Sequence, residues 1–329
     1  MKPDSTAFEV SHLTKHYGEV FAVNDISFSV RQGELFGFLG PNGAGKTTTI
    51  NMLTGLARLD AGTINIGGID CTHNPKAAQH LVGIVPDESN LYPELTGFDN
   101  LCFCAALYGI RKSERQKRAR ELLEAFGLSE AANRKFAGYS KGMKRKLTFA
   151  AGIIHQPPIL FLDEPTTGID VASARQVRQI IAGLHRKGTT VFLTTHYIEE
   201  AERLCERIAF IVEGKIVRTD RTADLLQPVK GKNTLLLSVS NSGDELSEEM
   251  GAAFPKYQVQ SVTPGEVRIE SSEQIIVGPL IRFLEERNIQ VTEARRQVPS
   301  LEDVFVQVTG VEAGLMKKEK EKMGGGGNQ

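Results

Sequence analysis

A glycine-rich stretch near the start of the chain has the residue types and spacing of a phosphate-binding loop. It runs from Gly40 to Thr47, matches G-x-x-x-x-G-K-[ST], follows the apolar run Glu34–Leu39 and precedes a helical pattern. Glycines let backbone N–H groups turn toward phosphate oxygens, and a helix N-terminus adds positive potential. A plain glycine turn is the alternative, but the strand and helix context favours nucleotide binding. The residues expected to contact the nucleotide are Gly40, Pro41, Asn42, Gly43, Ala44, Gly45, Lys46, Thr47 and Thr48.

Two neighbouring carboxylates, Asp163 and Glu164, end the apolar run Ile159–Leu162. Ligands of parallel sheets bind at the carboxyl ends of strands, so both acids are expected beside the phosphates. There Lys46 would reach the β- and γ-phosphates, while Thr47 and Asp163 would bind Mg²⁺. Glu164 is placed to polarise the water that attacks the γ-phosphate. A solvated acidic turn is the alternative, and the glycine loop in the same chain disfavours it.

Two ring-bearing side chains can join this site. His196 follows the apolar run Thr190–Thr195, which brings it to the same edge of the sheet and favours a γ-phosphate contact over a capping role. Tyr17 lies upstream of the glycine loop and could stack on a base, although core packing is the default for an isolated tyrosine. The candidate catalytic residues are therefore Lys46, Glu164 and His196.

The stretch Tyr139–Leu147, YSKGMKRKL, places basic residues and a glycine before an apolar run. Ser140 is a good N-cap, so the N–H groups and dipole of the following helix can face an anion, beside the charge of Lys141. A nucleic-acid patch is disfavoured by the short extent of the run. The buried helix stripe is expected to hold Met143, Leu147, Ala150, Ala151 and Ile154. The residues expected on a solvated basic face are Lys144, Arg145 and Lys146.

In the sequence, strand patterns alternate with helical patterns around these residues. This alternation predicts an α/β fold with a parallel, helix-covered sheet. A charged, helical stretch from Tyr92 to about Gln156 interrupts the sheet. Near Pro228 the pattern breaks and a new set of strands and helices begins. We therefore expect a first domain over 1–228 with a helical subdomain at about 88–156, a small α/β domain over 229–310, and a flexible charged, glycine-rich tail over 311–329.

Composition narrows the class of protein. The chain has 329 residues, a formal net charge of −1, 40% hydrophobic and 24% charged residues. These values predict an ordinary globular protein of about two domains, without the overall charge that nucleic-acid binding favours. No secretory signal opens the chain, and no apolar run approaches the roughly 18 residues of a membrane helix. Its four cysteines show neither zinc-type spacing nor a disulfide framework, which agrees with a reducing, cytosolic setting.

The motifs GPNGAGKTT, ILFLDEP, TTGID and TTH resemble, in this order, those of the ATP-binding subunits of ABC transporters. The resemblance covers about residues 8–225. It implies a P-loop NTPase core with an N-terminal antiparallel β subdomain and a helical subdomain. It also implies that Tyr17 stacks on the adenine of ATP, that Asp170 lies in the D-loop and that His196 is the switch histidine.

The stretch YSKGMKRKL takes the position of the family's signature, a serine–glycine–glycine–glutamine run. Ser140 and Gly142 match it, whereas Lys141 and Met143 depart from it. In the family this run contacts the γ-phosphate of ATP bound to the opposite subunit. A second departure is Asp87, which stands after Val85-Pro86 where the family usually has a glutamine that ligates Mg²⁺ and signals to the membrane partner.

The resemblance implies an enzyme: an ATPase that uses ATP and Mg²⁺, dimerises with itself or with a related subunit, and drives a separately encoded transmembrane permease. The segment RRQVPSLEDVFVQVTG resembles the end of subunits from ABC-2 exporters of drugs, sodium or lipids. The expected location is cytoplasmic, peripheral on the cytoplasmic face of the membrane. No nucleic-acid partner is expected.

Two other functions also fit part of the sequence. One is a soluble ABC ATPase that acts in translation or DNA repair, but such proteins carry two ATPase units or a long coiled coil, and this chain shows one unit without sustained heptads. The other is a regulatory module that binds ATP without hydrolysing it. Glu164 argues against that function, whereas Asp87 leaves it open.

Overall fold

The computed structural model describes residues 5–226, 233–240, 246–297 and 300–311. The predicted boundary at 228–229 and tail residues 312–329 lie outside these ranges. The strands are β1 Thr6–Tyr17, β2 Val20–Arg31, β3 Leu35–Leu39, β4 Ala61–Ile66, β5 Ile69–Asp70, β6 Val82–Val85, β7 Ile159–Asp163, β8 Thr190–Thr195, β9 Arg207–Val212, β10 Lys215–Arg221, β11 Asn233–Val239, β12 Gln258–Thr263, β13 Glu266–Ser271 and β14 Val291–Gln297. The α-helices are α1 Lys46–Leu53, α2 Gly97–Leu107, α3 Lys112–Ala125, α4 Lys141–Ile153, α5 Val171–Arg186, α6 Ile198–Leu204, α7 Thr222–Leu225, α8 Leu246–Ala253, α9 Val277–Glu285 and α10 Leu301–Thr309.

A six-stranded sheet carries the loops of interest. Its order is β10-β9-β3-β8-β7-β6, and only the β9–β10 pair is antiparallel. Leu39 lies beside Thr195 and Asp163 beside Thr194 in the register of the parallel strands. The carboxyl ends of four neighbouring strands therefore meet at one edge, where the glycine loop and the residues after β6, β7 and β8 begin.

The N-terminal antiparallel sheet, in the order β2-β1-β4-β5, shares an aromatic core with the six-stranded sheet. The ring of Phe8 on β1 contacts Phe161 on β7 and Phe192 on β8, with centroid distances of 5.2 and 5.6 Å. All three rings are buried, and edge-to-face pairs of this kind hold the sheets in one orientation. This arrangement agrees with the α/β core and antiparallel subdomain predicted from the sequence.

Helices α2, α3 and α4 form the predicted helical region between β6 and β7. Thr96 caps α2 by accepting a hydrogen bond from the backbone N–H of Asp99. The hydroxyl of Tyr139 donates to the carbonyl of Ala131 over 2.7 Å, which fixes the approach to α4. The described residues contain no helix long and apolar enough to cross a membrane.

The chain forms two compact units. The first holds the described residues up to Thr222 and again from Phe305 onward, and the second spans Ala223–Val304. Within the first unit the ring of Phe305 packs edge-on against Phe210 of β9, with centroids 5.3 Å apart. The second unit has an antiparallel sheet in the order β12-β13-β11-β14 and a core of its own. Residues at the centre of this core include Leu235, Leu237, Met250, Ile269, Leu280 and Leu284.

Candidate functional site

The glycine loop turns from β3 into α1 with Lys46 as the first helical residue. Gly45 has a φ of 102° and passes so close to the Ala22 carbonyl that a Cβ would collide with it, so this position requires glycine. The ammonium group of buried Lys46 donates to the carbonyls of Gly40 and Pro41 at 2.8 and 3.1 Å. The loop thus holds a buried cation at the start of a helix.

Glu164 lies at the centre of the site. Its φ of 47° is rare for a residue with a side chain, and the residue is 7% exposed. Its Oε1 atom lies 3.3 Å from Nζ of Lys46, and its Oε2 atom lies 2.8 Å from Nδ1 of His196. Since β3, β7 and β8 are neighbours, the motifs that follow them converge on one carboxylate.

The charge state of Glu164 follows from these contacts. Burial alone would raise its pKa, but the hydrogen bond with His196 and the charge of Lys46 outweigh burial, so the pKa lies below its ordinary value. An ionised carboxylate only accepts hydrogen bonds, which assigns the proton of the shared bond to Nδ1 of His196. The side chain is therefore a charged base at neutral pH.

Asp163, the last residue of β7, is 3% exposed. Its Oδ1 atom accepts a short hydrogen bond from the hydroxyl of Thr194 on β8. Thr47 lies in the first turn of α1 and is exposed, while Thr48 beside it is half-buried. These residues offer the carboxylate and hydroxyl oxygens that Mg²⁺ prefers.

Asp87 follows β6 at the same edge, with part of its surface exposed to solvent. Neighbouring protein atoms displace water from its carboxyl and raise the pKa, and the Arg145 guanidinium lowers it. The nearby carboxylates of Asp163 and Glu164 raise the pKa further, with a net rise. The structure thus brings Asp87 within electrostatic reach of the acidic end of β7.

Arg145 corrects one sequence prediction. It is not part of a solvated face, because it is 6% exposed and its guanidinium reaches the carbonyls of Pro86, Asp87, Asp163, Glu164 and Pro165. Arg145 follows Gly142 by three residues and precedes Phe149 by four, so all three share a helix face. Gly142 and Phe149 are also buried. This second buried stripe is the signal that the sequence analysis missed.

The signature stretch forms a separate cluster. Ser140 caps α4 by accepting a hydrogen bond from the Met143 N–H, as predicted. Asp170 caps α5 from the facing loop, and a Cβ on Gly142 would lie 3.2 Å from its Oδ2 atom. Among the described residues, no hydrogen bond or ion pair joins Ser140, Gly142 or Asp170 to Lys46, Glu164 or His196.

Tyr17 is 56% exposed, with the ammonium group of Lys15 5.3 Å from its ring centroid, which excludes the core-packing role considered for it. Glu200 on α6 was not singled out from the sequence. It is buried and accepts hydrogen bonds from the hydroxyls of Thr166 and Thr195, at 2.8 and 2.9 Å. It therefore ties the loop after Glu164 to the strand before His196.

The family described as "ABC transporter" matches residues 23–167 of the chain. The linearmycin resistance ATP-binding protein LnrL of Bacillus subtilis is 37% identical over 92% of this chain and 98% of its own length. The doxorubicin resistance ATP-binding protein DrrA of Mycobacterium tuberculosis is 35% identical, with 94% of this chain and 95% of that protein covered. The chain belongs to the ABC transporter family.

Solved structures agree with this membership. An ATP-binding subunit of an ABC transporter superposes with a TM-score of 0.62 at 30% identity, over 67% of this chain and 91% of that one. A dimeric ATP-binding cassette in a post-hydrolysis state, bound to ADP and Pi, also gives 0.62 at 27% identity, over 65% and 98%. The predicted fold class is confirmed, and the chain is the ATP-binding, ATP-hydrolysing subunit of an ABC transporter. The alternatives of a soluble translation or repair factor and of a non-hydrolysing module gain no support.

Proposed function

We propose that this ABC transporter subunit powers export, by clamping two ATP molecules between itself and a second copy or a close relative. The relatives include, besides the two resistance proteins, a Nod factor export ATP-binding protein of Burkholderia orbicola, 35% identical over 92% of this chain and 96% of its own length. The export part rests on these relatives, and the observation that carries ATP hydrolysis is the Glu164 carboxylate held between Lys46 and His196.

Glu164 acts as the base in this proposal. Its carboxylate is charged at neutral pH and lies at the strand edge where nucleotide binds in such sheets. There it accepts a proton from, or orients, the water that attacks the γ-phosphate. His196 holds the carboxylate by its Nδ1–H, and Lys46 supplies positive charge to the phosphates.

Mg²⁺ fits the oxygen donors of Thr47, Asp163 and Asp87. Among the described residues, no cluster of three or more His, Cys, Asp or Glu side chains forms a metal site. In phosphoryl-transfer sites Mg²⁺ binds through one or two carboxylates together with the substrate's phosphates. When bound, the ion neutralises charge on the phosphates.

Ser140 and Gly142 would serve the ATP of the partner subunit, and Asp170 would lie at the interface between subunits. The capped N-terminus of α4 carries Lys141 and has no acidic residue in its first turn, so it suits an anion from outside the chain. Exposed Tyr17 would stack on the adenine.

A separate transmembrane permease is the second partner. Apolar side chains on α2 and in the loop before it are exposed, which suits contact with a protein partner better than contact with water. These side chains are Tyr92, Phe103 and Leu107. We place the subunit on the cytoplasmic face of the membrane.

The deciding experiment measures two properties of the purified protein in the presence of ATP and Mg²⁺. One is the rate of ATP hydrolysis, and the other is the molar mass from light scattering, which distinguishes monomer from dimer. We expect Glu164→Gln to bind ATP without turnover and to accumulate as a dimer. Adding Ser140→Arg to that variant should restore the monomer while each chain still binds ATP. A dimer that is unaffected by Ser140→Arg would contradict the proposed interface.

A further inference from the structure

Arg145 makes an unusual set of contacts for a residue in a basic run. A guanidinium has five N–H groups, and here they meet five backbone carbonyls. Nε donates to Pro165 at 2.8 Å and Nη2 to Asp163 and Glu164 at 2.7 and 2.8 Å. Nη1 donates to Asp87 at 2.8 Å and, over a shorter distance, to Pro86.

All five acceptors are carbonyls, and within the described part of the chain no carboxylate forms an ion pair with Arg145. Burial lowers the pKa of the Arg145 guanidinium, and four nearby carboxylates oppose this lowering without cancelling it. These carboxylates belong to Asp87, Asp163, Glu200 and Glu164. Main-chain dipoles and these acids offset part of the cost of burying the cation. Lysine cannot reproduce this arrangement, since it offers three donors from a single point.

The five bonds join three parts of the chain. One is α4, which carries Ser140 at its N-terminus. The second is the loop after β6 with Asp87, and the third is the end of β7 with Glu164. The carbonyl of Glu164 is held directly, next to the left-handed backbone that aims its side chain toward His196.

We propose that Arg145 is a positioning residue, which fixes the direction of the Glu164 carboxylate and ties the Asp87 loop to the helix that begins at Ser140. It touches no reacting atom, because its donors are used within the chain. The inference rests on the proposed function for its kinetic consequence only. When the Asp87 loop shifts, Arg145 moves with it, and this displaces both the Glu164 carboxylate and the N-terminus of α4.

The test compares Arg145→Lys with Lys146→Met, a neighbouring basic residue on α4 that is half-buried. We expect Arg145→Lys to lower kcat at least about tenfold while the affinity for fluorescent ATP changes less than about threefold. Lys146→Met should change neither. Arg145→Gln, which loses the charge and most donors, should be lower in kcat than Arg145→Lys.

Hydrogen exchange on the same variants supplies a readout that does not need activity. Exchange should rise in two segments far apart in sequence, residues 86–89 and 164–168, and not in α1. A kcat of Arg145→Lys within twofold of the parent, or exchange that rises throughout the first unit, would overturn the proposal. So would failure of both Arg145 variants to fold while Lys146→Met folds, because a positioning residue is not needed for folding. An inactive parent would contradict the proposed function instead, and exchange would still decide the role of Arg145.

Discussion

The Nδ1 atom of His196 lies 2.8 Å from Oε2 of Glu164, and both side chains are largely shielded from water. Lys46 approaches the other carboxylate oxygen at 3.3 Å. The two contacts hold a buried carboxylate in its charged form against the cost of burial. The site's base is thus oriented and ionised by residues from two other motifs.

Glu164→Gln tests the base directly. The amide keeps the size of the side chain but cannot accept a proton, so we expect kcat to fall at least about 100-fold with little change in ATP affinity. Glu199→Gln is the control, because Glu199 is an exposed acid that pairs with exposed Arg203. Equal ATPase activity of Glu164→Gln and the parent would remove Glu164 from its role.

The pH profile tests the link between His196 and Glu164. The lowered pKa means that Glu164 stays ionised until the pH falls below the ordinary glutamate range, so the acid limb of kcat/KM should lie there. His196→Ala removes one of the contacts that lower the pKa while burial remains, so the limb should move to higher pH. The residual activity of His196→Ala is measured over the same pH range. An acid limb at the same pH as in the parent would contradict the coupling between His196 and Glu164.

The same shift makes a prediction for stability. A carboxyl whose pKa is lower in the folded than in the unfolded chain stabilises the fold above the unfolded value and loses that effect as the pH falls through the folded value. Glu164→Gln should therefore flatten the acid side of the stability curve relative to the parent. Urea unfolding at several pH values measures this, with Glu199→Gln expected to follow the parent.

Asp87→Gln restores the residue that the family usually has after this strand. We expect ATP binding to persist and turnover to change, by about threefold or more, because a carboxylate near the phosphates is replaced by a neutral amide. Glu88→Gln, next to it and also exposed, is the matched control. Kinetics of Asp87→Gln that equal those of the parent would place Asp87 outside the metal site.

Gly142→Ala tests the close packing of α4 against α5. The added Cβ would lie 2.9 Å from Oγ of Ser173 and 3.2 Å from Oδ2 of Asp170, so these two side chains at the N-terminus of α5 must move. We expect a loss of stability of about 1 kcal/mol and lower ATPase activity. Gly138→Ala, whose Cβ would meet nothing nearer than 3.9 Å, is the control, and identical melting of both variants would contradict the packing argument.

The sequence predicted the edge of the six-stranded sheet at which the site forms. It could do so because a buried strand and the residues that follow it are recognised from neighbouring residues in the chain. Three local patterns each mark the end of a parallel strand, and such ends share one edge of the sheet. They are the glycine spacing before Lys46, the two acids after Leu162 and the histidine after Thr195. The structure brings Lys46, Glu164 and His196 together in this way.

Arg145 escaped the same reasoning for a physical reason. Its partners are backbone carbonyl groups of residues 18 to 59 positions away. Because every residue has a backbone carbonyl, the residue types in the sequence do not indicate these partners. A run of four basic residues most often faces water, and only the spacing to Gly142 and Phe149 marks one of them as buried. Likewise, Tyr17 lies at the end of β1, where the chain turns into β2. The sequence alone does not show whether this end of the hairpin faces solvent or the core.

The return of the chain to its first unit at Phe305 matters for genetic dissection. A stop codon near residue 228 would delete not only the second core but also the aromatic ring that covers Phe210 on β9. An in-frame deletion within Ala223–Val304 would instead keep Phe305 in the chain. Comparing the two gene products would separate what the inserted unit does from what the ATPase needs merely to stay folded.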